Sequence, residues 1–244
     1  MFKKIFKQWR FNKDVKAFAE GLRRQPTLKG KVEEVLKTKQ FNATQKESEI
    51  TGLLTIIQEM KPKRVCEIGA YHGGTLALFC TVVSPNANIL SLDINYSPKQ
   101  IRAFPYFSNH HQKIVCIGGN SQASSTLTQF NQWLNGEQLD LLFIDGDHSF
   151  TGVSKDFELY SPYVRPGGCI VFHDIIEDFK TRHGIETKAF TGGVPQFWSQ
   201  IKESHKTTQE LIDDPEQDGF GIGILWWDST QGIQHGPANS SMGR

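Results

Sequence analysis

The stretch Arg64-Val65-Cys66-Glu67-Ile68-Gly69-Ala70-Tyr71-His72-Gly73-Gly74-Thr75 decides how the rest of the chain is read. Val65 to Ile68 is a short apolar run of strand length, and it stops at Gly69. A tight glycine loop follows, and Gly74-Thr75 opens a helix into Leu76-Ala77-Leu78-Phe79. Such a strand–loop–helix unit brings bare backbone N–H groups and a helix N-terminus against a ligand. Dinucleotide proteins space their glycines as G-x-G-x-x-G so that a pyrophosphate can approach. Here the order is Glu67-x-Gly69-x-x-x-Gly73-Gly74, with no glycine two positions after the first and a carboxylate inside the strand end. That carboxylate would repel a pyrophosphate and suits a ligand carrying ammonium and sulfonium charge.

The pattern resembles motif I of the class I S-adenosylmethionine-dependent methyltransferases, and the similarity runs from about Glu47 to Trp227. The resemblance implies a Rossmann-like, doubly wound α/β sheet, mostly parallel with an antiparallel last strand. It places the cofactor against Glu67, Gly69, Ala70, Gly73, Gly74 and Thr75.

The flanking sequence fits that frame. Ile50, Leu53, Leu54, Ile57 and Met60 recur at helical spacing over 47–60. Lys61-Pro62-Lys63 ends that helix and leads into the first strand. The second strand, 88–93, closes on Asp93, 24 residues after Gly69, near the ~20 expected of an acidic residue that accepts ribose hydroxyls. Residues 97–108 are too interrupted by proline for a long helix, and His110-His111 read as exposed polar residues. The third strand, 113–117, runs into Gly118-Gly119-Asn120-Ser121; by the resemblance Asn120 or Ser121 meets the adenine, and otherwise the segment is a plain turn. The fourth strand, 139–144, ends in Asp145-Gly146-Asp147-His148. A helix then buries Val153, Phe157, Tyr160 and Val164. Arg165-Pro166-Gly167-Gly168 reads as a turn before the fifth strand, 169–173, which ends at His173-Asp174. Residues 175–195 read as an irregular loop of the kind that covers substrates. A helix over 196–206 and a closing strand pair at 208–212 and 221–227 complete the core.

Ligands of an open α/β sheet bind outside the carboxyl ends of its strands. Five consecutive strands here end in polar or acidic residues, so Glu67, Asp93, Asn120, Asp145, His148, His173 and Asp174 are expected to converge, with Asp145 also facing the cofactor. Some family members hold a divalent cation with one carboxylate after the fourth strand and an adjacent pair after the fifth. Asp145, His173 and Asp174 match that arrangement, and the imidazole favours manganese over magnesium. Without a metal, His173 and Asp174 are a turn and a helix cap. His148, three residues past Asp145, is the candidate general base; its alternative is a capping residue.

The expected activity is methyl transfer to a hydroxyl of a small molecule or sugar. Relatives in this branch include a group labelled cephalosporin hydroxylases, so a non-heme iron oxygenase built on His148, His173 and an aspartate is one alternative. A non-catalytic S-adenosylmethionine-binding protein is another.

Length and composition set the remaining bounds. With 244 residues and 38% hydrophobic content, the chain suits one α/β core. No run approaches the ~20 apolar residues of a membrane span, and no signal peptide is recognised. Cys66, Cys80, Cys116 and Cys169 lie in or beside apolar segments without a C-x-x-C, as reduced core thiols do, and a cytoplasmic location is expected. Residues 1–40 hold 12 Lys/Arg against 4 Asp/Glu. The body has no basic stripe with interleaved aromatics, which excludes a nucleic-acid enzyme. The domain reading is a basic helical arm over 1–45, the methyltransferase domain over 46–228 and a disordered tail over 229–244. In the arm, Phe2, Ile5, Phe6 and Trp9 share one helical face ringed by lysines. Residues 1–12 therefore fit either peripheral contact with an anionic membrane or packing on the domain or a second subunit.

Overall fold

The structure, a computed structural model, describes residues 2–228, with side chains from residue 5 onward. The tail expected to be disordered, 229–244, lies outside the described residues.

Three helices precede the sheet: Phe2–Arg24 (α1), Leu28–Lys37 (α2) and Glu47–Met60 (α3). In α3 the predicted face Ile50, Leu53, Leu54 and Ile57 is fully buried. The helix ends where Lys61 turns left-handed, just ahead of Pro62. Then come Arg64–Ile68 (β1), Gly74–Val82 (α4), Asn88–Asp93 (β2), Pro98–Ala103 (α5) with a 3-10 turn over Phe104–Phe107, and Lys113–Gly118 (β3). Ser124–Leu134 (α6), Leu139–Ile144 (β4), Phe150–Tyr160 (α7) and Val164–His173 (β5) follow. Phe179–His183 (α8), Val194–Ser204 (α9), Thr208–Leu211 (β6) and Ile222–Trp226 (β7) close the fold.

The strands form one sheet in the order β3-β2-β1-β4-β5-β7-β6. All adjacent pairs from β3 to β5 are parallel, and β7 runs antiparallel to both β5 and β6. This is the doubly wound arrangement expected from the sequence, with its last strand reversed. The order reverses between β1 and β4, and there the crevice opens.

Alternate residues along each strand feed two separate cores. Leu141 and Phe143 join Phe11, Val15, Leu22, Val32, Phe41, Leu54 and Phe79 on the face covered by α1 to α4. Leu142 and Ile144 join Phe130, Phe157, Phe197 and Trp198 on the face covered by α6, α7 and α9. Both faces of the central strands are therefore covered, which is why β1 and β4 are mostly apolar rather than alternating. The basic segment ahead of α3 thus shares its apolar cluster with the sheet. All four cysteines are free and buried.

Two readings of the sequence are corrected, and one element is added. Arg165-Pro166-Gly167-Gly168 is not a separate turn but part of β5: the ladder jumps from Leu139–Val164 to Leu141–Cys169, and the intervening residues bulge out. Residues 175–195 are less irregular than expected, because Asp178 caps the short α8 by accepting from the Thr181 amide and ties the loop back by accepting from Thr191. Helix α6 is an addition; it buries Thr126, Phe130 and Leu134.

Candidate active site

A cavity of about 560 Å³ opens at the carboxyl ends of the parallel strands. That volume falls in the range of small-molecule sites. Gly69, Asp93, Asn120, Ser121, Asp145 and His148 all line it, as does Asp174. The convergence expected from five strand ends is thus present in space for β1 to β5.

The floor is built by backbone at the point of reversal. The Asp145 amide donates to the Ile68 carbonyl and the Gly69 amide to the Leu92 carbonyl, each at 2.8 Å. Gly69 adopts φ 87°, and a Cβ there would lie 1.8 Å from the Asp145 carbonyl oxygen. Glycine is required because the ends of β1 and β4 touch at that point.

Asp93 is nearly buried and organises the loop after β1. Its Oδ2 accepts from the amides of Ala70 and Tyr71 at 3.0 and 2.7 Å, and its Oδ1 accepts from Asn95 at 2.7 Å. Oδ1, with one donor, retains acceptor capacity, whereas both lone pairs of Oδ2 are taken. Asn120 Oδ1 accepts from the Gln122 amide, and the Ser121 hydroxyl donates to Asp156.

The other predicted cofactor contacts stand behind this wall. Glu67 is fully buried, accepts from the Ser91 hydroxyl at 2.6 Å and leaves Oε1 without a partner. Burial raises its pKa to about 8, against the pull of Ser91, and Asp145 and Asp93 push it further up. Ala70 contributes its amide to Asp93. A Cβ on Gly73 would strike the Phe104 ring and one on Gly74 the backbone of Asn42 and Ala43, so this glycine pair admits the segment ahead of α3. Thr75 donates to Gln45 Oε1 at 3.2 Å.

Two carboxylates and two imidazoles meet at the far end. Asp145 Oδ1 lies 3.4 Å from His148 Nε2 and 3.2 Å from His173 Nδ1. Asp174 Oδ2 lies 3.4 Å from His148 Nδ1 and 3.4 Å from His173 Nδ1. Asp174 holds this position at φ 65°, a left-handed backbone uncommon outside glycine. Burial works to raise the Asp145 carboxyl, but His173 and His148 outweigh it and hold the group at about 2. Burial works to lower His148, but Asp145 and then Asp174 lift it to about 9. His173 is driven well upward by the same two carboxylates against its own burial.

Asp145, His148 and Asp174 offer one donor atom each within 4.8 Å of one another. The side chains that converge as a metal-binding group therefore include His148, which the spacing assigns as base. His173 instead braces Asp145, with its Nε2 buried and unpartnered. The loop over this end is fixed to it: the Phe190 carbonyl lies 2.9 Å from His148 Nδ1, and the Gly193 amide donates to the His148 carbonyl.

Sequence reasoning missed Thr44 and Gln45. Thr44 lines the cleft, and Gln45 donates to Asp145 Oδ2 at 3.1 Å while accepting from Thr75. Nothing in the local sequence signals a contact with a residue so distant along the chain.

Residues 66–175 match the model of a family described as a methyltransferase domain. The sheet order and its reversed last strand are those of the class I methyltransferase fold. Over 180 residues, 70% of its length, the chain is 22% identical to an uncharacterized protein of Sinorhizobium fredii. Over 116 residues, 44% of its length, it is 34% identical to an uncharacterized protein of Acanthamoeba polyphaga mimivirus. The alignments span 18% and 49% of those two relatives. An O-methyltransferase from Bacillus cereus in complex with SAH superposes with a TM-score of 0.59 at 17% identity, covering 83% of this chain and 92% of that one. TomG from Streptomyces achromogenes, an O-methyltransferase in complex with SAM, gives 0.58 at 14% identity, covering 89% and 98%. At these identities the solved structures establish the shared fold of the methyltransferase domain.

No helix among the described residues is long and apolar enough to cross a membrane.

Proposed function

We propose that the chain is an S-adenosylmethionine-dependent O-methyltransferase acting on a hydroxyl of a small molecule or sugar. The observation that carries this reading is the cleft itself. It runs from Asp93 at the end of β2 to the Asp145–His148–Asp174 cluster beyond β4 and β5. The residues present fit the donor: Asp93 keeps acceptor capacity for ribose hydroxyls, and Asn120 and Ser121 line the same cleft, available to an adenine. Ionised Asp145 faces the cleft and suits a cationic ligand. The neighbours solved with SAM and SAH support the same assignment.

When bound, S-adenosylmethionine supplies a methyl group already activated by its sulfonium. The protein's task is then to align the acceptor and accept its proton. The loop tied to His148 through Phe190 and Gly193 lies beside the His148 end of the cleft. Without a metal, His148 is the group that would take the proton, and it does so only once its own proton is gone.

A divalent cation, magnesium or manganese, would be held by Asp145, His148 and Asp174. It would supply a Lewis acid that lowers the hydroxyl's pKa. The set first expected, with His173, would leave His148 as a free base; the donor geometry favours the set that includes His148. Transfer of labelled methyl from S-adenosylmethionine to a panel of catechol and sugar hydroxyls, with and without EDTA, tests the reading. Label in an acceptor supports it. Tight cofactor binding with no transfer to any hydroxyl would instead favour a non-catalytic binding protein.

A further inference from the structure

Helix α1 has two apolar faces. Phe11, Val15, Ala19 and Leu22 are buried in the domain core. Ile5, Phe6 and Trp9 fall on an arc of roughly 100° centred about 130° around the helix from that face. These three remain 58%, 61% and 58% exposed, with Phe6 and Trp9 stacked on one another at 5.9 Å. A single helix bears one face that the fold uses and one that it leaves bare. Exposed apolar patches on a folded chain are sites of association.

The surroundings specify the partner. Lys13 sits over the Trp9 ring at 5.8 Å, and Arg10, Lys13 and Lys16 are exposed around the patch. Residues 1–40 carry a net excess of eight basic charges. A symmetric pairing of two copies through this face would set the same basic ring against itself, which is unfavourable. An anionic lipid surface complements both features: the aromatic and aliphatic side chains enter the headgroup boundary while the lysines and Arg10 meet lipid phosphates and carboxylates.

We infer that the exposed face of α1 docks the protein on an anionic lipid bilayer. The core-facing side of α1 ties the helix to the cleft rim. Gln8 donates to the Lys99 carbonyl of α5, and the next residue, Gln100, donates to the carbonyl of Tyr71, which lines the cleft mouth and is itself 58% exposed.

The full chain, incubated with vesicles of phosphatidylcholine alone and of phosphatidylcholine mixed with phosphatidylserine, provides the test. Flotation and Trp fluorescence are the readouts. The parent should float with the anionic vesicles and not the neutral ones, shift its emission to the blue, and be released by high salt. Phe6→Ser/Trp9→Ser should bind about tenfold or more weaker, and so should Lys13→Glu/Lys16→Glu. All four side chains are exposed, so circular dichroism and Tm should match the parent. Failure of the parent to bind anionic vesicles overturns the inference, as does parental binding by either variant. A concentration-dependent dimer that Phe6→Ser/Trp9→Ser disperses would assign the face to a second copy and overturn it equally.

Discussion

A side-chain carbon on Gly69 would stand 1.8 Å from the carbonyl oxygen of Asp145. The first glycine of the loop after β1 is therefore a structural joint between two neighbouring strands as well as part of the cleft floor. Gly69→Ala should lose both stability and cofactor affinity, because the β1 and β4 ends must separate and a left-handed backbone must accept a side chain. The backbone strain alone is worth about 1–3 kcal/mol. Chemical denaturation and calorimetry on the same preparation check it; full stability with lost binding would mean that Gly69 serves the ligand alone.

His148 sets the pH dependence of the site. Its imidazole is held at about 9 by Asp145 and Asp174. A general base must be deprotonated, so turnover without divalent metal should rise as pH climbs through about 9. If magnesium or manganese activates the enzyme, the metal displaces that proton and the rise should move to lower pH. In the metal-free enzyme His148→Ala should lower kcat by roughly 10²–10⁴ above about pH 9, the loss shrinking as pH falls. A metal-free profile that is flat between pH 6 and about 9 would remove His148 as base.

Glu67 should make stability fall as pH rises. Its folded pKa of about 8 lies above the ordinary 4.5. Between those values the folded chain holds a proton that the unfolded chain has lost, so this contribution is full below about 4.5 and gone above about 8. Glu67→Gln keeps the polar contact with Ser91 and removes the titration. Its stability relative to the parent should improve with pH by on the order of a few kcal/mol. A parallel pair of stability–pH curves would contradict this.

Gln45 couples the segment ahead of α3 to the chemistry. Its amide hydrogen bond to ionised Asp145 is of a kind worth about 1.5–3 kcal/mol. Gln45→Ala should cut kcat by about tenfold or more while S-adenosylhomocysteine affinity changes little. Equal losses in both would place Gln45 in the general architecture of the cleft.

The strands and their ends were legible because each apolar run stops at a polar residue, and a parallel sheet puts all those stops on one edge. β2 and β4 matched their sequence boundaries residue for residue. Helix α6 was harder to read, since Phe130 and Leu134 sit among serines, threonines and glutamines whose propensities speak for turns as much as for helix. Spacing also could not say which imidazole faces the cleft: Asp174 turns left-handed, and that backbone setting brings its carboxylate to His148 as well as to His173. Gln45 was invisible for a different reason, because its partner Asp145 lies 100 residues away. The glycines after β1 announced a ligand loop, yet Gly73 and Gly74 are small for packing against Phe104 and the Asn42–Ala43 backbone.

Calorimetric titration of S-adenosylhomocysteine into the parent and into Asp93→Ala tests the central claim most directly. Asp93 alone accepts the backbone amides of Ala70, Tyr71 and Asn95 while facing the cleft. The account predicts saturable one-to-one binding by the parent and a loss of about 1.5–3 kcal/mol or more in the variant. No detectable binding by the folded parent, or equal affinity in the two proteins, would contradict it.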